Sequence, residues 1–283
     1  MWRAYYQTLK PERTYANVMT TAAGFLLACR WHVQWGLLLA TIIGTTLVVL
    51  SACAANNCTD RGIDARMPRT RKRALVTGVL PVRNVALISV IFGLLGFAIL
   101  AAWTNAWVVM LGVVAYIDYV VLYAWSKRHS VYSTLIGTIS GAAPLVAGYV
   151  AVTDSFDATA WLLGLLMILW QMSHFYAIGI FRHDDYKAAK LPIWPVRYGV
   201  INTKRWIMAY TIGFLLLTVA LPFTSTVGWL AGGVLIVSSV WWLCMGFKGY
   251  RLEANKWARG MFGYSLVIIM VLAAALSVSP LLP

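Results

Sequence analysis

The sequence predicts an all-α polytopic membrane protein, a bundle of nine transmembrane helices with the N-terminus in the cytoplasm and the C-terminus outside. Of its 283 residues, 61% are hydrophobic and only 11% are charged. Soluble domains carry roughly 25% charged residues, so the composition excludes an ordinary soluble fold. A transmembrane helix needs about 20 mostly apolar residues. Candidate spans lie at about 15–29, 35–55, 84–103, 106–125, 131–152, 159–181, 206–223, 227–247 and 261–279.

The basic residues predict the orientation. Of the 23 Lys and Arg residues, 22 fall in the N-terminal tail and in the loops after every second span, and Arg30 alone falls on the other side. Cytoplasmic loops carry the excess of Lys and Arg, which places the N-terminus and these loops in the cytoplasm. The net charge of +14 is therefore explained by cationic cytoplasmic loops and does not indicate a surface that binds nucleic acid. The loops leave no room for a second domain, so residues 1–283 are predicted to form one transmembrane domain.

The loop after the second span contains regularly spaced polar residues, in the stretch AANNCTDRGIDARMPRTRKR. Asn56, Asp60 and Asp64 are four residues apart. If the helix continues through them, they drift only about 80° around it and form one polar stripe. Carboxylate and amide oxygens suit Mg²⁺, which typically binds one or two carboxylates together with substrate phosphates. Arg69 and Arg73, which follow, can offset phosphate charge.

A second acidic pair, Asp184 and Asp185, follows the sixth span and falls on the same predicted face. Together the two loops indicate a site for a metal and a diphosphate. Two alternatives stay open at this point. Carboxylates among so many cations can form structural ion pairs, and the cations can simply follow the positive-inside rule.

The stretch NNCTDRGIDARMPRTRKRAL resembles the first signature of the UbiA-type intramembrane prenyltransferases, N-D-x-x-D-x-x-x-D followed by R-T-x-x-R. Asn57 departs from it, because most of that family has Asp there. An Asn-Asn start is typical of one branch, the protohaem IX farnesyltransferases. The same branch is indicated by SKRHSVYSTLIGTISGAAPLVAGY, WQMSHFYAIGIFRHDDYKAAKLPIWP and RGMFGYSL, so the resemblance covers essentially the whole chain.

The resemblance implies a reaction and its participants. Farnesyl diphosphate ionises with the help of Mg²⁺, a vinyl group of haem b captures the allylic cation, and water completes the side chain to give haem O and diphosphate. It also implies a cell inner membrane location, an active site that faces the cytoplasm, and a functional link to the assembly of haem-copper terminal oxidases. The leaving group requires cations, and the carbocation requires a cavity free of water.

The resemblance also assigns roles to single residues. Catalysis and Mg²⁺ binding are expected at Asn56, Asp60, Asp64 and Asp185. Diphosphate binding is expected at Arg69, Arg73, Lys127 and Arg128. Contact with haem or another acceptor is expected at His174, His129 and Asn57.

Several of these residues also have simpler, purely structural explanations. Lys127 and Arg128 can serve only to anchor topology, and His174 can be a satisfied core histidine. Asp118 lies in the middle of a span, where a carboxylate must be paired or protonated. The sequence gives it no clear role.

Two other functions stay open at the level of sequence. One is a UbiA-type enzyme that prenylates a quinone precursor or another aromatic acceptor. The other is a haem carrier or transporter, which also uses polar residues inside a membrane. The sequence leaves open the exact prenyl chain length, the haem pose and any iron ligand, the number of metal ions, the source of the added water, and the oligomeric state.

Overall fold

The computed structural model describes residues 1–281, which form helices joined by turns and short loops, with no β-strand among them. A π-helical turn, Asp118–Leu122, lies within the continuous helix Ala106–His129, and short 3₁₀ turns lie at Leu221–Thr224 and Ser279–Leu281. The helices are α1 Trp2–Thr8, α2 Pro11–Cys29, α3 Trp35–Asp64, α4 Val82–Trp103, α5 Ala106–Ile117, α6 Tyr123–His129, α7 Ser133–Thr153, α8 Ala158–Phe181, α9 His183–Ala188, α10 Trp194–Tyr198, α11 Val200–Ala220, α12 Trp229–Gly249 and α13 Ala254–Val278.

The all-α membrane fold is confirmed, and 8 helices in the described part of the chain are long and apolar enough to cross a membrane. They are α3, α4, the continuous helix α5–α6, α7, α8, α11 with its 3₁₀ turn, α12, and α13 with its 3₁₀ turn. Helix α2 covers the first predicted span but is not among the eight. Its 19 residues include Glu12, Arg13 and three threonines. The count of nine spans and the sides of the two termini therefore stay predictions.

Helix α2 nevertheless belongs to the core of the bundle, because two glycines let it pack closely against α7. A Cβ atom on Gly148 would lie 2.9 Å from the backbone nitrogen of Phe25 and closer still to the carbonyl oxygen of Thr21. A Cβ atom on Gly24 would likewise collide with the carbonyl oxygen of Leu145. Small residues at such crossings allow helix backbones to approach within membranes. This contact packs the second half of α2 against α7, while Lys10 and Arg13 at its start contact Asn56 and Tyr119.

Helix α3 is longer than the membrane is thick. Its 30 residues at 1.5 Å each span about 45 Å, whereas the hydrocarbon core measures about 30 Å. The last turns of α3 therefore project from the apolar part of the bundle. They carry Asn56, Asp60 and Asp64, so the length of one helix places the acidic stripe beyond the lipid tails.

Two small apolar clusters order the loops at this end of the bundle. Ile63 and Met67, at and after the end of α3, pack against Ala189, Leu191 and Ile193, which link α9 to α10. On the other side, the N-terminal helix α1 packs against a second cluster. That cluster consists of Ala54, Leu75, Leu80 and Val85. The loops that carry the two acidic groups are therefore in direct contact, as their positions in the sequence suggested.

Candidate active site

The acidic stripe lies on one continuous helix, since α3 runs without a break to Asp64. Asn56 and Asp64 are buried, with 2% and 6% of their surfaces exposed, and Asp60 is half-buried. Polar oxygens at this depth require partners. The structure gives a separate cationic partner to each of the three.

Asp60 forms an ion pair with Lys127 at the end of α6. Only 14% of the Asp60 side chain and 8% of the Lys127 side chain are exposed. Lys127 is thus directed into the protein at Asp60, which is not the position of a cation that only anchors topology. Removing one member of a charge pair that is shielded from water leaves the other charge buried and unpaired, which destabilises the protein.

Asp64 is held by the loop that follows it. Arg73 donates a hydrogen bond from Nη1 to Oδ2 of Asp64 at 2.6 Å. The hydroxyl of Thr70 donates to the backbone carbonyl of Asp64 at 2.9 Å. The R-T-x-x-R part of the motif therefore wraps around the last carboxylate of α3, with Thr70 and Arg73 both bound to the same residue.

Asp185 completes the group from the other side of the site. Its carboxylate lies 3.9 Å from Nε of Arg69 and is mostly buried, with 15% of the side chain exposed. Its neighbour Asp184 is fully exposed and has a contact only with His183, at 3.4 Å. The two adjacent aspartates therefore differ, and only Asp185 joins the loop of Asp60 and Asp64.

Among residues 1–281, no three His, Cys, Asp or Glu side chains already stand together as a metal-binding group. Each predicted metal-ligand carboxylate instead has a basic partner: Asp60 with Lys127, Asp64 with Arg73, and Asp185 with Arg69. The donor set nevertheless fits Mg²⁺ chemically, because it consists of hard oxygen donors. The paired cations are the groups that a diphosphate would attract.

Lys10, which sequence reasoning counted only as a topology signal, lies in the same site. It sits between α1 and α2 in a left-handed conformation with φ of 52°. Its ammonium donates to Oδ1 of Asn56 at 3.0 Å. Burial, together with the nearby charge of Arg13, lowers the pKa of Lys10 to about 7. Positive charge is therefore costly here until an anion binds.

A small cavity of about 90 Å³ adjoins Lys10. Lys72 and Arg73 also line it, together with Asn57 and Asp64. Its wall therefore carries three basic residues and one acidic residue. This balance favours an anionic occupant.

Asn57 faces a different direction from Asn56. It donates a hydrogen bond from Nδ2 to the backbone carbonyl of Thr8, the last residue of α1. A carboxylate at position 57 could not donate this hydrogen bond and would place its oxygen against the carbonyl oxygen of Thr8. The contact with Thr8 therefore favours an amide side chain at this position. The contact attaches the N-terminal helix to α3. Its predicted role as an acceptor contact gains no support from these contacts.

His174 lies in α8, buried and stacked on Trp170 with ring centroids 5.0 Å apart. Ser265 donates its hydroxyl hydrogen to the carbonyl of Phe262 at 2.6 Å, so it accepts from His174 Nδ1 at 2.7 Å. The neutral ring therefore carries its proton on Nδ1. Its Nε2 has no hydrogen-bond partner among the described residues and keeps a free lone pair. A histidine that binds a metal through one ring nitrogen usually donates a hydrogen bond from the other in this way.

Arg128 and His129 follow Lys127 but lie outside the ion pairs. Arg128 donates from Nη2 to the backbone carbonyl of Thr59, which joins α6 to α3. His129 is exposed and stacks on Trp125, and its Nδ1 lies 2.9 Å from the carbonyl oxygen of that residue. Neither residue is brought against a carboxylate, and both lie at the edge of the site.

The structure explains Asp118, to which the sequence pattern assigned no role. Asp118 begins the π turn and accepts a hydrogen bond at Oδ2 from the backbone nitrogen of Ser140 in α7, at 3.1 Å. A π turn inserts an extra residue into a helix and changes the direction of the side chains around it. The carboxylate thus attaches this irregular turn to α7.

Sequence reasoning missed a group of tyrosines near the carboxylates. Tyr119 and Tyr123 stack with ring centroids 5.5 Å apart and an angle of 17°. Arg13 donates to the hydroxyl of Tyr119 at 3.0 Å. Tyr186 of α9 lies close by, and burial raises the pKa of its phenol. A usable signal was present in the spacing, since Tyr119, Tyr123 and Lys127 are four residues apart.

The family model and the relatives that match this sequence indicate the same family of proteins. Residues 17–278 match the description "UbiA prenyltransferase family". A relative from Shewanella sp. (strain ANA-3), named protoheme IX farnesyltransferase 2, is 44% identical over 279 residues, covering 98% of this chain and 90% of the relative. A relative of the same name from Shewanella woodyi is 45% identical over 272 residues, covering 95% and 94%.

Solved structures share the fold at lower identity. The UbiA homolog from Archaeoglobus fulgidus bound to GPP and Mg²⁺ superposes with a TM-score of 0.74 at 15% identity, covering 97% of this chain and 99% of that chain. The apo UbiA homolog from Aeropyrum pernix K1 gives a TM-score of 0.77 at 20% identity, covering 93% and 96%. At these identities the likeness establishes the fold.

Proposed function

We propose that this chain, which belongs to the UbiA prenyltransferase family, transfers the farnesyl group of farnesyl diphosphate to a vinyl group of haem b. Water adds in the same reaction, and the products are haem O and diphosphate. The observation that carries this function is identity of 44% to 45%, over nearly the whole chain, with relatives named protoheme IX farnesyltransferase. The paired acidic loops agree with a diphosphate substrate.

The chain forms one transmembrane prenyltransferase domain over residues 1–283, with α2 as the first of nine spans. Its N-terminus lies in the cytoplasm of a bacterial cell, its C-terminus lies outside, and the membrane is the inner one. The distribution of 22 of the 23 basic residues supports this arrangement. The active site then faces the cytoplasm, where farnesyl diphosphate is available.

The diphosphate site consists of four residues with oxygen donors and five basic residues. Asn56, Asp60, Asp64 and Asp185 would hold Mg²⁺, and Arg69, Arg73, Lys127 and Arg128 contact the diphosphate, alongside Lys10. When bound, Mg²⁺ supplies positive charge that stabilises the departing diphosphate. The likeness in fold to a homolog bound to GPP and Mg²⁺ supports this assignment.

The ion pairs imply an exchange on substrate binding. Lys127, Arg73 and Arg69 each neutralise one carboxylate in the free protein. An incoming diphosphate attracts these cations to its own oxygens and releases the carboxylates for the metal. Mg²⁺ alone must instead compete with three basic side chains. The protein therefore binds Mg²⁺ and diphosphate together more readily than either alone.

We expect Arg73→Gln to have opposite effects on the two ligands. Loss of Arg73 frees the carboxylate of Asp64, so the affinity for Mg²⁺ alone rises. The affinity for Mg²⁺ with diphosphate falls by about tenfold, because a charge-assisted bond to phosphate is lost. Isothermal titration of the protein in nanodiscs with Mg²⁺, with and without inorganic diphosphate, measures both. Arg71→Gln is the matched control, since Arg71 is exposed and makes no side-chain contact of this kind. A parallel fall in both affinities would contradict the exchange.

The acceptor half of the site contains His174. Its Nε2 lone pair is free, and its tautomer is fixed by Ser265. We assign His174 to haem contact on this basis. His129 lies at the edge and Asn57 is attached to α1, so their predicted acceptor roles have weaker support.

The chemical steps follow from the charges and the enclosure of the site. The bond between C1 of the farnesyl group and the diphosphate oxygen breaks, and its electron pair leaves with the oxygen. The vinyl group donates its π electrons to C1, which leaves a cation on the carbon beside the porphyrin ring. Water bonds to that carbon and loses a proton. Burial among aromatic side chains keeps bulk water from the farnesyl cation before the vinyl group reaches it.

The direct test is to supply the protein in nanodiscs with farnesyl diphosphate, Mg²⁺ and haem b, and to detect haem O by mass spectrometry. Omission of Mg²⁺ should stop the reaction. A product formed only from 4-hydroxybenzoate would replace this function with prenylation of a quinone precursor. Haem binding without any consumption of farnesyl diphosphate would indicate a carrier. Haem O made here would serve haem-copper terminal oxidases, as the partners that receive it.

A further inference from the structure

Arg13 is a cation in the interior of the site whose charge no acidic residue balances. None of the salt bridges in residues 1–281 includes it. Arg13 lies one helical turn after Lys10, and its guanidinium contacts Tyr119 in the π turn. The side chain is otherwise exposed, so a further group can bind to it.

Tyr119 converts this cation into a two-donor group. Nη1 of Arg13 donates to the Tyr119 oxygen at 3.0 Å, so the hydroxyl hydrogen of Tyr119 is directed elsewhere. That hydrogen has no acceptor among the described residues. The stacked ring of Tyr123 and the π turn that begins at Asp118 hold Tyr119 in place. A guanidinium and a phenol side by side match an anionic oxygen group such as a carboxylate.

The pair lies at the edge of the metal and diphosphate site. Tyr119 precedes Lys127 by eight residues on the continuous helix Ala106–His129. This spacing corresponds to roughly 12 Å along the helix axis. The carboxylates of Asp60, Asp64 and Asp185 already have their own cations. Arg13 is therefore not needed to balance them. It lies one helical turn after Lys10, so the pair adjoins the diphosphate site and leaves that site its own cations.

We propose that Arg13 and Tyr119 bind a propionate carboxylate of the haem acceptor, an inference that rests on the proposed function. Haem b carries two such carboxylates and an iron atom. His174, whose Nε2 has no hydrogen-bond partner among the described residues, is the other group that we assign to haem contact. The pair would fix one edge of the porphyrin and so determine which vinyl group meets the farnesyl cation. It thereby positions the acceptor and determines specificity for a haem with free acid groups.

The test compares haem b with its dimethyl ester, in which both carboxylates are blocked, as probes in Soret titrations of the protein in nanodiscs. We expect Arg13→Gln to weaken binding of haem b by about 10- to 100-fold, the worth of a charge-assisted hydrogen bond. Binding of the ester should not change. Wild-type protein should bind the ester about as weakly as the variant binds haem b. This last comparison needs no substitution and is independent of folding.

Further variants separate recognition from structure. Arg13→Lys keeps the charge and should recover part of the affinity for haem b, and Tyr119→Phe should lose affinity for haem b but not for the ester. Arg83→Gln is the matched control, because Arg83 is exposed at the start of α4. The KM for farnesyl diphosphate should be unchanged in Arg13→Gln.

Several results would overturn the inference. Equal losses for haem b and the ester would make Arg13 structural, and a higher KM for farnesyl diphosphate with unchanged haem affinity would make it a diphosphate ligand. If wild-type protein makes haem O and Arg13→Gln binds haem b normally, the inference alone fails. If wild-type protein neither binds haem b nor makes haem O, the proposed function fails with it.

Discussion

Asp60→Asn will reduce haem O formation by about 10²- to 10³-fold, the usual scale for loss of one group that stabilises charge in the transition state. The amide cannot supply the negative charge that Mg²⁺ requires. It also leaves Lys127, which is shielded from water with Asp60, without its partner. The rate of haem O formation, measured by mass spectrometry at saturating farnesyl diphosphate, gives the effect.

The double variant Asp60→Asn with Lys127→Met separates catalysis from an ion pair that only stabilises the fold. Removing both charges eliminates the unpaired ammonium, so thermal stability should recover. Activity should stay lost, because the metal ligand is absent. Recovery of activity in the double variant would show that the pair is structural. Asp184→Asn is the control, since Asp184 is fully exposed in the neighbouring loop.

Gly148→Val will destabilise the protein by about 3 kcal/mol or more, the upper range for overpacking. The added Cβ meets backbone atoms of Thr21 and Phe25, which cannot rotate away as a side chain can. The helices α2 and α7 must separate, and we expect the contacts of Lys10 with Asn56 and of Arg13 with Tyr119 to be lost with them. Thermal unfolding in detergent should show a midpoint lower by about 5–10 °C, together with loss of haem O formation.

Gly233→Val in α12 provides the comparison, because a Cβ atom there meets nothing within 4 Å. This variant should keep both its unfolding temperature and its activity. Gly24→Val, which affects the same helix crossing from the other side, should behave like Gly148→Val. A Gly148→Val protein with normal stability would mean that α2 does not pack on α7 as described.

The sequence was sufficient for the class of fold and for the principal acidic residues. Long apolar runs produce helices that the bilayer then encloses, because every backbone polar group must be satisfied internally. Asn56, Asp60 and Asp64 could be placed on one face because helix periodicity is a local property. The positions of Lys127 and Arg73 in the sequence could not show that they pair with Asp60 and Asp64. Each pair joins two parts of the chain that only the folded structure brings together.

Other features depended on tertiary structure. Lys10 and Arg13 looked like ordinary positive-inside residues, and only the packing of α2 on α7 brings them to Asn56 and Tyr119. Asp118 had no visible purpose until α7 supplied the backbone nitrogen of Ser140.

The sequence alone therefore determined a helical membrane protein with its acidic stripe at the end of α3, because composition and periodicity act within one segment. The tertiary structure decided which cation meets which carboxylate, and it leaves Arg13 with Tyr119 in place of a carboxylate. The loop after α3 folds back to bring Arg73 to Asp64, and the continuous helix Ala106–His129 packs so that Lys127 meets Asp60. Contacts between distant segments are set by how backbones approach one another, and local spacing does not encode that distance.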